Sequence, residues 1–500
     1  MRIPHSTRLL AALSALPLLA GCFASGGADD DTASAAKDGA RLRVALAFPP
    51  AERLSPYGAD ATLLSRLGVT EGLTSLDANG APAPALAQSW KRVDDRTWVF
   101  TLRDATFQDG TRVTPAAVAA SLGHAGQAEP APAALAGAAL TAKADGATGV
   151  RITTTAADPV LPLRLTSPSL AILAPKAYDA KGAANPVGTA TGPFEVTKLT
   201  GTTSATLDRF DDYWGGRAQA AGVDARFIAD GTARANALRT GEVDVAEAIP
   251  VAQAATLDAA TRKETATTRT TSLLLNTESG AFKNPALRAA ARAAVDTATL
   301  AEGVYEGHAD AGAGIYGPAV TWAAGKRTAP TGRTAPGKPA GAAVTLATYD
   351  NRPELPEAAQ VLKQQLEKAG FKVKLEIREY SRLESDALAG KFDAFVLARN
   401  TLVDTGDPVA VLASDYTCDG GFNIAQLCDK KVDQAVKAAQ GIADTGKRQD
   451  AAMAAETAIL GTDAVVPLVH QRVITGVGKS VRGVLLDPYE RTLVGTGTRR

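Results

Sequence analysis

Between residues 61 and 122 the apolar positions change period more than once. Leu63, Leu64, Leu67 and Val69 fall at helical spacing and run into a turn at Gly72. Asp77, Asn79 and Gly80 supply short polar residues suited to a tight turn. Trp98, Phe100 and Leu102 then alternate with Thr97, Val99 and Thr101, which predicts a strand closed by Asp109-Gly110. Thr114-Pro115 reads as an N-cap with proline at the first helical position, opening a helix over 116–122.

The same reading carries along the chain. Residues 41–48 form a strand, and 125–150 are poorly patterned and read as irregular helix and loop. Short strands are expected at 151–155 and 170–173, then a hairpin from 191 to 210 turning at Gly201. Residues 223–246 read as strand, helix and strand, which implies a parallel pair. Asn284-Pro285 opens another helix, and Asp296 caps a short one after it. Leu355, Ala359, Leu362, Leu366 and Ala369 make one helical stripe, stopped by Gly370 before the alternating strand Phe371 to Ile377. A strand at 391–397, helices at 432–439 and 451–460, and a strand at 465–469 follow.

Composition narrows the class. With 53 Lys+Arg against 53 Asp+Glu in 500 residues there is no cationic surplus to suggest nucleic acid as a partner. No apolar run beyond the N-terminus reaches the roughly 18–20 residues of a membrane helix. At the N-terminus, Arg2, His5 and Arg8 precede the apolar run 9–19, which ends in Leu19-Ala20-Gly21-Cys22. This resembles a lipobox, so residues 1–21 read as a signal peptide and Cys22 as the acylated mature N-terminus. Residues 22–40 read as a flexible tether rich in Gly, Ala, Ser and Asp.

Catalytic and cofactor signatures are missing. Gly312, Gly314 and Gly317 spell GxGxxG, but no clear strand precedes them and Pro318 follows, so a dinucleotide site is not expected. His5, His124, His308 and His470 lack metal-ligand spacing, and no GxSxG or HExxH occurs. Cys418 and Cys428, the cysteines left after Cys22, read as a disulfide in an exported chain, with a soft-metal site or free thiols as the other options.

EGLTSLDANG, PALAQSW, TWVFTLRDATFQDGT and TPAAVAASL, followed by GTATGPFEV, RFDDYWGG and FKNPALRAAARAAVDTATL, resemble bacterial family 5 extracytoplasmic solute-binding proteins. That family serves ABC importers of dipeptides, oligopeptides and nickel chelates. The resemblance implies an α/β, two-lobed periplasmic-binding-protein-like fold of the class II type, with mixed sheets flanked by helices. Its lobes would be discontinuous and joined by a two-strand hinge, with residues 41–275 in the first lobe, 276–470 in the second and 471–500 returning to the first. The basic Pro/Gly stretch 323–343 departs from the family's pattern.

The resemblance also implies particular residues. Cys418 and Cys428 match a cysteine pair of dipeptide-binding members. Asp404, in Asp404-Thr405-Gly406-Asp407-Pro408, matches the position that holds a ligand ammonium, although Arg399-Asn400 stands where the family has Gly-Trp. Asp407 is expected to cap or fix the turn before Pro408, and Tyr213 and Trp214 to pack in the core and between lobes. Arg352 matches a segment that sets an arginine against a ligand carboxylate, and a guanidinium fits a carboxylate bidentately. The expected protein is a monomeric lipid-anchored receptor on the outer face of the cytoplasmic membrane. It would have no enzymatic activity and no cofactor, and would deliver short peptides to an ABC permease with its ATPase subunits. The alternatives are the same scaffold carrying a nickel chelate, sugar or other solute, or a sensor lipoprotein without transport.

Overall fold

The computed structural model describes residues 39–77, 79–129, 131–135 and 139–500. The stretch expected to be a signal peptide, Cys22 and all of the expected tether but residues 39 and 40 lie outside the described residues. Residues 39–500 form one compact unit.

Local signals in the chain become elements through identifiable backbone bonds. Thr114 accepts a hydrogen bond from the Ala117 amide at the head of the helix Pro115–Gln127, and Asn284 does the same for Ala286 ahead of Pro285–Ala294. Asp296 caps Thr297–Thr299, and Asp407 caps Pro408–Tyr416 through the Val409 amide. In Glu354–Lys368 the apolar stripe is buried at Leu355, Ala358, Ala359, Leu362 and Leu366.

Among the described residues, eleven strands make one sheet. Its path runs Lys372–Arg378, Ala343–Tyr349, Ala394–Asn400, Arg262–Leu275, Val465–Val477, Val245–Ala246, Arg41–Leu46, Gly222–Phe227, Ser204–Arg209 and Phe194–Thr200, with Ala309–Ala311 added beside Val465–Val477. The long antiparallel pair Arg262–Leu275 and Val465–Val477 carries the sheet from one buried core into another. Its register slips beside Pro467, which has no amide hydrogen to give the ladder. One core takes in Leu273 to Val469 and Tyr489, and the other joins Leu42 to Leu64 with Val223, Val245 and Val494. A third lies under the four-stranded sheet Ala87–Arg92, Thr97–Leu102, Gly149–Thr154 and Leu140–Asp145.

Several expectations are corrected. Residues 140–145 are an edge strand, made by pairing with Gly149–Thr154. Leu140, Ala142 and Ala144 alternate there with Thr141, Lys143 and Asp145, and Leu140 and Ala142 pack against the third core, although no side chain of the strand is fully buried. Residues 170–173 are not a strand: after the turn Pro168–Leu170, the Ile172 amide bonds to the Glu71 carbonyl and the Leu173 amide to the Ser121 hydroxyl. The two strands flanking Gly231–Arg239 are not neighbours, because Arg41–Leu46 lies between them and is parallel to both. The partners of Tyr213 and Trp214 among the described residues include Glu71, Arg103 and the third core, in place of the expected interlobe packing. Both side chains donate to the Glu71 carboxylate, at 2.8 and 3.0 Å, and burial raises that carboxyl to about 6.

The glycines of the GxGxxG string serve close packing. A Cβ on Gly312 would lie 2.5 Å from the Pro467 backbone, and one on Gly317 2.7 Å from the His470 ring. His470 accepts from the Ala313 amide at Nε2, which leaves the proton on Nδ1 to face the Thr270 hydroxyl at 2.9 Å. Burial lowers its pKa to about 4, so this imidazole is neutral.

The basic stretch 323–343 is strapped along the helix Thr445–Gly461. Lys326 pairs with Asp450, Arg327 with the fully buried Glu456, and Arg333 with Asp463 at 3.4 Å. Cys418 and Cys428 form a disulfide with their Cα atoms 4.3 Å apart. Closing so short a loop contributes about 2–3 kcal/mol in the chain-entropy account.

Candidate functional site

A cavity of about 840 Å³ opens where the two main cores face each other across the hinge strands, a volume suited to a small ligand. One wall comes from the turn after Arg41–Leu46, the helix Asp60–Arg66 and residues 229–231 and 247–251. The opposite wall is Tyr305, the turn 350–354 and Glu379, and residues 471–474 of the hinge make the floor. Phe48 lines the first wall and is 51% exposed, so it offers the cavity an unpacked aromatic face.

Most charges around this cavity are already spoken for. Asp60 is buried and accepts the amides of Ala51, Glu52 and Leu54 at 2.8–2.9 Å. Arg66 pairs with Glu247. Arg234 spends its guanidinium on the carbonyls of Ile228, Ala229, Glu247 and Ala248. Arg472 pairs with Asp310 outside the cavity.

Arg352 differs. It stands in the turn before the helix Glu354–Lys368, and its guanidinium makes no hydrogen bond or ion pair among the described residues. Burial works to lower its pKa, but the fields of Tyr349, Glu354 and Glu490 prevail and keep it charged. Glu490 is itself held down to about 2. Burial opposes that shift, and the bidentate Arg269, at 3.1 Å on both arms, outweighs it with help from Arg352 and Arg66.

Asp404 is placed elsewhere. It is not among the residues lining the cavity, and its carboxylate accepts from Arg399 at 3.2 Å. Arg399 also grips Asp415 at 3.0 Å and lies over the Phe422 ring, 4.8 Å from its centre. Asn400, the other residue at the Gly-Trp position, bonds to Thr268 and to the Tyr489 carbonyl. The loop carrying Asp404 is clamped by Arg491, which donates to the carbonyls of Leu402 and Val403 on one side and of Thr166 on the other. Arg352 and Asp404 are therefore not brought together around this one space.

Glu354 and Gln471 line the cavity and were not singled out by their residue pattern. For Gln471 a signal existed: His470-Gln471-Arg472 interrupts an otherwise apolar strand. Glu354 carried none, since an acidic residue in a first helical turn is ordinary.

Residues 81–423 match the family described as bacterial extracellular solute-binding proteins, family 5 Middle. The nickel-binding protein NikA of Staphylococcus aureus is 25% identical over 464 residues, covering 89% of each chain. The glutathione-binding protein GsiB of Shigella dysenteriae is 26% identical over 469 residues, covering 87% of this chain and 90% of that one. The dipeptide-binding protein of Pseudoalteromonas sp. SM9913, solved with Met-Leu, superposes with a TM-score of 0.78 over 92% of this chain and 99% of its own, at 17% identity. That likeness shows the expected two-lobed periplasmic-binding-protein fold. A match spanning more than half of the sequence settles the family: this chain belongs to family 5 of the bacterial extracellular solute-binding proteins, the receptor components of ABC importers, and is a binding protein and not an enzyme.

Proposed function

We propose that this chain is the lipid-anchored receptor of an ABC importer that closes on a short peptide and hands it to a permease. The observation that carries the reading is the interlobe cavity of about 840 Å³, whose wall holds an arginine with no partner among the described residues. A peptide C-terminus would satisfy Arg352 bidentately, while Phe48 and the neighbouring apolar wall take side chains without demanding one sequence. The peptide bound by the Pseudoalteromonas protein supports this choice. The similarity to NikA favours a second reading, in which the same arginine meets the carboxylates of a chelate that carries nickel.

Native mass spectrometry of the freshly purified protein tests the choice. A copurified peptide mass is expected, and a metal-chelate or sugar mass in its place overturns the peptide reading. The anchor is tested in the same material. Intact-mass analysis is expected to find a diacylated Cys22 at the mature N-terminus, with Cys22→Ser left unacylated. An unmodified N-terminus at another residue overturns the anchor.

A further inference from the structure

We propose that Glu354 and Gln471 form an ammonium subsite in the cleft, which rests on the reading of the cavity as the ligand site. The ligand class follows from their chemistry: a molecule carrying a primary ammonium together with the carboxylate that Arg352 receives.

Three observations carry this. Gln471 sits on the cavity floor at 5% exposure, and its Nε2 lies 2.9 Å from Glu354 Oε1. A carboxylate oxygen accepts, so the nitrogen of the Gln471 amide faces it; that nitrogen also lies 3.4 Å from the Tyr305 hydroxyl, and the oxygen occupies the other arm of the amide. That oxygen, Gln471 Oε1, is buried and has no partner among the described residues. A buried acceptor left open is costly, and it can be met only by an N–H or O–H donor.

Glu354 supplies the charge. Among the described residues only its Oε1 is engaged, so Oε2 is left to accept a second donor. It is the first residue of a fifteen-residue helix, whose N-terminal dipole favours a carboxylate there. An ammonium has three donors on one positive centre, so it satisfies Gln471 Oε1 and Glu354 Oε2 together. Asp404, the family's position for this task, already has Arg399 as its partner and does not line the cavity. With Arg352 two residues before Glu354, the same turn presents opposite charges to the two ends of a short zwitterion.

Calorimetry with a panel of dipeptides and tripeptides led by Met-Leu, each free and N-acetylated, tests the subsite. In the wild type, acetylation is expected to weaken binding about 100-fold. Glu354→Gln is expected to weaken the free peptides by a similar factor and to leave the acetylated ones within about threefold. Gln471→Leu, which removes the open acceptor, is expected to cost the free peptides about tenfold. Unchanged urea midpoints for the unliganded variants confirm that they fold. Equal losses on acetylation in the wild type and Glu354→Gln overturn the subsite, as does an Asp404→Asn variant that alone erases the preference for a free amine. If acetylated peptides bind the wild type as well as free ones, the subsite falls and the peptide reading stands. If no peptide in the panel binds the wild type, both fall.

Discussion

Arg352→Met is expected to weaken peptide binding between about thirty-fold and a few thousand-fold, the effect of about 2–5 kcal/mol for removing one partner of a buried charge pair. The reason is differential: the other charged groups around the cavity that make bonds within the protein keep those bonds whether or not a ligand is present. Arg352 has none to lose, so its interaction with an incoming carboxylate is almost all gain. Arg352→Lys should recover little, because a compact ammonium cannot reproduce the two-pronged fit. Amidating the peptide C-terminus should hurt the wild type severely and Arg352→Met slightly, and calorimetry on the four combinations isolates the pair. Stability should move the opposite way. Removing a half-enclosed cation that has no partner among the described residues should leave the unliganded protein as stable as before or more so. A fall in the unliganded urea midpoint, or equal losses on amidation, would show that Arg352 is a structural residue.

Asp407→Ala is expected to be the most damaging change outside the cavity, lowering the unfolding free energy of its lobe by about 3–5 kcal/mol. Asp407 and Arg448 are 8% and 5% exposed and ion-paired at 2.5 Å. Arg448 also donates to the carbonyls of Ala439 and Gln440, which end the helix Lys430–Gln440, and of Ile442 just beyond it, while Asp407 caps Pro408–Tyr416. Truncating the acid strands a guanidinium in the core and uncaps a helix at once. The double variant Asp407→Leu/Arg448→Met should lose less than the sum of the single variants, since it leaves no charge uncompensated. Denaturation curves showing additive losses would mean that the two side chains contribute independently.

The legible parts of this molecule depend on near neighbours. Thr114, Asn284 and Asp296 announce helices because each caps an amide two or three residues ahead. The cysteine pair is ten residues apart, and the stripe of Glu354–Lys368 repeats within turns of one helix. The edge strand 140–145 alternates too, but one leucine and two alanines give that alternation little weight, and the ladder to Gly149–Thr154 is what makes it a strand. The acids that hold the stretch 323–343 lie on a helix, and just after it, more than a hundred residues on, so its composition reads only as a loop.

Residue pattern and resemblance by themselves determined the two-lobed class and the placing of Arg352 and Asp404 as candidates. Only the folded chain decided which of the two has its charge free. Asp404 is met by Arg399, which the fold also gives Asp415, and the loop between is clamped by an arginine about ninety residues away. Glu354 meets Gln471 across 117 positions of sequence. A side chain's type sets what it is able to bind. Whether it is still open to a ligand depends on the groups the fold brings within about 3 Å, and those contacts have no sequence period to betray them.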